Sequence, residues 1–123
     1  MDHHELVALR QHHPAWRLLR ADNAPLIISF LQHVFVIPNQ RSLNQASLAS
    51  KLDDMLYSLQ QSLGEHHYPR SSGAYLDDWA DNSNGWLRKF YPPGSDEPHY
   101  ELTAATEKAI EWLTSLGKRQ FVG

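Results

Sequence analysis

The chain contains no cysteine. That absence removes disulfide frameworks, Cys-based zinc sites and thiol nucleophiles together, and it fits a reducing compartment. A long apolar run is also missing. The longest such stretch, Pro25 to Ile37, is broken by Ser29, Gln32 and His33, and is too short and too polar to span a bilayer. Met1-Asp2-His3-His4-Glu5 has no basic flank ahead of an apolar segment, so it is not a signal peptide. Charge is scarce: 11 basic and 14 acidic side chains leave a net −3 with histidines neutral. That balance gives no global attraction to nucleic acid or anionic lipid. A cytoplasmic protein is expected. No Gly/Ser linker or low-complexity tract divides the chain. Leu52–Asp54 and Leu76–Asp78 share a tripeptide, but their flanks differ and no repeat follows.

What is present suffices for one core. With 123 residues, 41% of them hydrophobic, a chain of this size buries roughly two-thirds of its unfolded surface without staples. Pro14 predicts a break between two short helical pieces, the first carrying Leu6, Val7 and Leu9, the second Trp16, Leu18 and Leu19. Asp22 or Asn23 is suited to cap the next helix, with Pro25 in its first turn. Its apolar face is Leu26, Ile27, Phe30, Leu31, Val34 and Phe35, and Pro38-Asn39 ends it. Ser42 to Gly64 is the clearest helix, with one stripe of Leu48, Leu52, Met55, Leu56, Leu59 and Leu63. A further helix is predicted over 71–82 with Tyr75, Leu76, Trp79 and Ala80 inward. Trp86 to Tyr91 then alternates like a strand, Pro92 to Pro98 reads as a turn, and His99 to Leu102 pairs back. Thr103 is placed to cap a last helix with Ala105, Ala109, Trp112, Leu113 and Leu116 on one face and Gly117 at its end.

This order predicts a mainly α fold with a small β-hairpin, winged-helix-like with additional N-terminal helices. The expected division is a helical arm over 1–22, a winged-helix-like domain over 23–117 with its wing at about 86–102, and over 118–123 the start of a truncated following segment suggested by Phe121 and Val122.

The titratable groups argue against catalysis. Eight histidines include the doublets His3-His4, His12-His13 and His66-His67. Neighbours on a helix diverge by about 100°, so a doublet rarely chelates one metal. Asp53-Asp54 and Asp77-Asp78 fall on polar helix faces rather than in one cleft. No Gly-x-Ser-x-Gly, P-loop or Rossmann pattern occurs, and Ser71-Ser72 reads as a helix cap. No catalytic residue, cofactor or metal is expected. The helix before the hairpin carries Asp77, Asp78 and Asp81 and no Lys or Arg beyond Arg70 at its start, which would repel phosphate at close range. Alternation places aromatics on both sides of the first hairpin strand, so one side is left for a partner.

The runs Leu9–Arg20, Lys51–Asp54, Tyr75–Trp79 and, most specifically, Trp86-Leu-Arg-Lys-Phe-Tyr-Pro-Pro-Gly-Ser-Asp-Glu-Pro-His99 resemble the N-terminus of a bacterial family long catalogued as of unknown function. It is the kleisin-like subunit of Wadjet-type condensins, JetA, which is similar to MksF and MukF. The resemblance implies a non-catalytic, architectural part of an SMC complex active in plasmid defence or chromosome organisation. It implies a winged-helix-like N-terminal domain that forms a homodimer. Through the full-length protein it implies contact with an SMC ATPase, with a small winged-helix accessory subunit and, indirectly, with DNA of the nucleoid. The candidate partner or dimer interface is Leu6, Leu9, Trp16, Trp86, Arg88, Phe90 and Tyr91. Two readings compete. A DNA-binding winged helix needs Arg70, Arg88, Lys89, Lys118 and Arg119 in one basic stripe. A metal-dependent enzyme would use histidines such as His33 and His99.

Overall fold

Capping residues and prolines divide the first third of the chain. The computed structural model describes the backbone of residues 1–122 and side chains as far as Lys118. Gly123 and the side chains of Arg119, Phe121 and Val122, which the sequence reading invoked, lie outside the described residues. Helix α1 (His3–His12) is capped by Asp2, whose carboxylate accepts from the Glu5 N–H at 2.8 Å. Helix α2 (Pro14–Leu19) starts at Pro14, and His13 Nδ1 accepts from the Ala15 N–H. Helix α3 (Ala24–Leu31) follows. Asn23 occupies its cap position without a side-chain bond; instead the Ala24 N–H donates to the carbonyl of Ala21. The helix does not continue regularly to Phe35. It widens into a π-helical turn (Gln32–Val36), in which the Ile37 N–H reaches back five residues to the Gln32 carbonyl at 2.9 Å.

The long central helix contains its whole apolar stripe but starts three residues later than Ser42. Leu43–Asn44 forms strand β1, and helix α4 (Gln45–Leu63) begins after it, capped by Asn44 through the Ser47 N–H at 2.7 Å. Leu48, Leu52 and Leu56 are buried, whereas Leu63 is exposed. Helix α5 (Ser72–Ala80) is capped by Ser71 and buries Tyr75, Leu76 and Trp79. The hairpin is β2 (Leu87–Phe90) and β3 (His99–Leu102). β1 adds to the far side of β3, giving an antiparallel sheet of order β1-β3-β2, with Asn44 and Phe90 both opposite His99. The Glu97 carboxylate also accepts from the Ala46 N–H at the start of α4, which ties the hairpin loop to that helix.

Helix α6 (Ala104–Val122) runs through Gly117 instead of ending there. Thr106, Ala109 and Ile110 face the core. At about 100° per residue, this orientation turns Trp112 and Leu116 away, and both are exposed, against the face predicted for them. The fold is mainly helical with a small antiparallel sheet. Leu18 of the arm belongs to the same buried cluster as Phe30, Leu52, Trp79, Tyr100 and Ile110, and α2 packs along α6. Arm and remainder therefore contribute to one buried cluster. No helix among the described residues is long and apolar enough to cross a membrane.

Candidate interaction surface

The first surface is the outer face of the hairpin. Register pairs Arg88 with Glu101 and Phe90 with His99, and directly opposed residues share a face. Arg88 Nε donates to Glu101 Oε1, and its guanidinium lies over the Phe90 ring, 4.6 Å from the centroid. The Phe90 and His99 rings are 6.0 Å apart. Tyr91, one residue past the strand, is exposed. The pleat turns Leu87 and Tyr100 to the inner face, where both are buried. Arg88 and Phe90 thus share the outer face, with Arg88 exposed and Phe90 half-buried, and Tyr91 is exposed just beyond the strand.

Trp86 is not with them. It precedes β2 and is buried at 4% exposure. Its indole Nε1 donates to the Pro14 carbonyl at 2.9 Å, and its own carbonyl accepts from the buried Thr106 hydroxyl at 2.9 Å. Alternation fails at this position because the chain is still turning out of α5. Trp86 anchors the arm and is unavailable as an interface residue.

The second surface is on the arm. Leu6 and Leu9 are half-buried, and Trp16 and Leu19 are exposed. Leu9, His13, Ala15, Trp16, Leu19 and Arg20 line an open groove of about 440 Å³ between α1 and α2. The groove is held by Arg17 and Arg20, which donate to the Gln11 and Arg10 carbonyls at 2.9 and 3.0 Å. A second Arg17 bond, to Asn84 Oδ1 at 2.8 Å, fastens α2 to the turn after α5. In that turn the Ser83 hydroxyl and then its backbone N–H hold the Asp81 carboxyl below the usual carboxylate range. Sequence reasoning passed over His13 and Arg20 as groove residues, although Trp16 and Arg20 stand at the i, i+4 spacing that places them side by side.

Among the described residues the histidines, carboxylates and cations of the competing readings lie apart or are paired. Among the described residues no three metal-ligating side chains come together. His33 is exposed, and His99 stacks near Phe90. Asp53, Asp54, Asp77 and Asp78 are all exposed on their helices. Arg70 lies 4.0 Å from Asp78 and over the Tyr75 ring, while Arg88 is paired with Glu101. Lys118 lines a separate wide groove with Val36, Arg41, Glu107 and Glu111, whose charges are mixed.

Tyr100 gives the sheet a pH dependence. Burial, then the nearby Asp77 carboxylate, push its phenol above the ordinary tyrosine value. A raised pKa means the neutral phenol is favoured in the folded state, so its contribution is intact below the unfolded value and is lost as pH rises through the folded one. Urea unfolding is expected to show stability falling above about pH 10, and Tyr100→Phe is expected to flatten that alkaline limb. An unchanged limb in the variant would assign it to other groups.

Together these features describe a mainly helical fold with a small antiparallel sheet, with exposed apolar side chains on the arm and at the hairpin. The chain belongs to the family described as Protein of unknown function (DUF3375), whose model matches residues 8–123. It is similar to an uncharacterized protein of Mycolicibacterium smegmatis (strain ATCC 700084 / mc(2)155), 51% identical over 123 residues. That match takes in all of this chain and 26% of the relative, so the chain spans about a quarter of the relative's length. No solved structure matches.

Proposed function

We propose that this chain is a non-catalytic interaction module, the N-terminal domain of a kleisin-like subunit in a bacterial SMC complex, winged-helix-like in fold and self-associating through the hairpin face. The observation that carries the interaction role is the chemistry of α5. This helix precedes the hairpin, in the position from which a winged helix reads DNA. The helix itself carries Asp77 and Asp78 and no cationic side chain, the one cation against it among the described residues being Arg70, 4.0 Å from Asp78, while the hairpin and arm expose Tyr91, Trp16 and Leu19. The order helix, β1, α4, α5, β2, β3 with β1 beside β3 supports the winged-helix reading. The hairpin run that resembles Wadjet-type condensin subunits supplies the complex. SMC ATPase, accessory subunit and nucleoid location belong to the full-length protein in this proposal.

The test is the molar mass of the purified chain by light scattering over a wide concentration range. A dimer is expected, and Arg88→Glu combined with Phe90→Ala is expected to weaken it at least about tenfold, or about 1.4 kcal/mol. Arg88 is solvent-exposed and Phe90 half-buried at the sheet's outer face, so the thermal transition is expected to remain cooperative. Unaltered self-association and unaltered capture of the cognate SMC subunit in the double variant would refute the hairpin assignment. A winged-helix DNA-binding regulator, the alternative, predicts a gel shift at low salt that fades steeply as salt rises.

A further inference from the structure

The groove between α1 and α2 differs from both the hairpin face and the wide groove beside α6. We propose that it receives one amphipathic α-helix of another protein, apolar on the side turned inward and acidic along its flank. Three observations carry this.

The apolar side of α1 is only partly covered by the chain itself, Leu6, Val7 and Leu9 being half-buried. The helix buries no residue, and α2 is the neighbour it packs on, so Leu9 faces the opening together with Trp16 and Leu19.

Both walls are helices. Their backbones are bonded internally, and Arg17 and Arg20 occupy the Gln11 and Arg10 carbonyls at the end of α1. An extended segment would find no row of free backbone groups to pair with, whereas a helix brings its own bonds complete and offers side chains at i, i+3 and i+4.

The titratable wall residues are His13 and Arg20, with no carboxylate among them. Arg20 is fixed at the rim through Nε, and among the described residues no hydrogen bond engages its Nη atoms. A carboxylate on the incoming helix completes that guanidinium; a lysine is repelled.

The carboxylate-bearing helices α4 and α5 do not supply the occupant in their own fold, because their apolar faces, Leu48, Leu52 and Leu56 on one and Tyr75, Leu76 and Trp79 on the other, are already buried. The inference rests on the reading of the chain as an interaction module, and not on which complex it serves.

The experiment is a displayed library of amphipathic helices of about five turns, with fixed leucines on one face and flank positions drawn equally from Glu, Lys and Ser. It is panned on the whole chain, with Leu19→Asp as counter-target. The expected outcome is a pool enriched in Glu over Lys, bound at least about tenfold more weakly by Leu19→Asp, with the preference inverted by Arg20→Glu. Trp16→Gln replaces Leu19→Asp if the latter loses its folding transition. No enrichment, equal Glu and Lys, or equal binding to the groove variants would overturn the proposal. A dimer that Leu19→Asp dissociates would also overturn it by giving the groove to a second copy, with Trp112 and Leu116 of α6 as the inserted side chains. Arg88→Glu with Phe90→Ala is expected to leave the pool's binding unchanged, so failure of the hairpin reading and failure of this one are separable.

Discussion

Trp86→Ala is expected to lower unfolding stability by about 3–5 kcal/mol, the range for deleting a large buried aromatic. Few positions in the chain combine so much. The side chain is buried, its indole N–H reaches across to Pro14, and its carbonyl accepts from Thr106. Trp86→Phe separates the contributions. It keeps most of the packing but leaves the Pro14 carbonyl without its donor, for an expected loss of about 1–3 kcal/mol. Urea unfolding of both variants measures the difference. Limited proteolysis between Arg10 and Arg20 is expected to accelerate in Trp86→Ala, because the indole is one of the fastenings that hold the arm. A loss under about 1 kcal/mol for the alanine variant would place Trp86 outside the core after all.

Gly85→Ala is expected to cost about 1–3 kcal/mol, for a backbone reason rather than a packing one. Gly85 has φ +64°, the left-handed region, and a Cβ built there lies 3.3 Å from Pro14 Cγ. Its carbonyl also accepts from the Thr103 hydroxyl at 2.7 Å, so the turn cannot relax without disturbing the start of α6. Gly117→Ala is the internal control. It lies within α6, and an added Cβ meets nothing within 4 Å, so a gain of up to about 1 kcal/mol is expected from helix propensity. Denaturation midpoints for the two variants should move in opposite directions.

Local chemistry explains why much of the fold could be read from residue order. Asp2, Asn44 and Ser71 stand where helices begin and accept the expected N–H groups, and Pro14 separates α1 from α2. These signals act over three or four residues. The features that escaped reading act over the whole chain. Leu43 and Asn44 looked like the first turn of α4 and became a strand because β3 offers an unpaired edge far along the sequence. Trp86 looked like a surface anchor because alternation was projected one residue before the strand begins. Trp112 was assigned inward by helical spacing alone, yet Thr106 and Ile110 decide which way α6 faces. Nothing in residues 32–36 announces a π-turn; the Gln32 side chain, donating to Thr114 Oγ1 at 3.1 Å, is explicable only once α6 is in place. The same distinction applies to the surfaces. That Arg88 and Phe90 share a face follows from strand alternation, which is local, while the arm groove with Arg20 at its rim depends on two helices folding against each other.

The two fastenings of the arm also set an order in time. Arg17 meets Asn84 across 67 residues and Trp86 meets Pro14 across 72. A ribosome adding about 5–20 residues per second delivers these partners roughly 3–14 s apart. Throughout that interval α1 and α2 have no Asn84, no Trp86 and no α6 to lie against, and Trp16, Leu18 and Leu19 are open to whatever is nearby. The arm is thus made well before the residues that fasten it, and it is secured only once Asn84, Trp86 and α6 have followed.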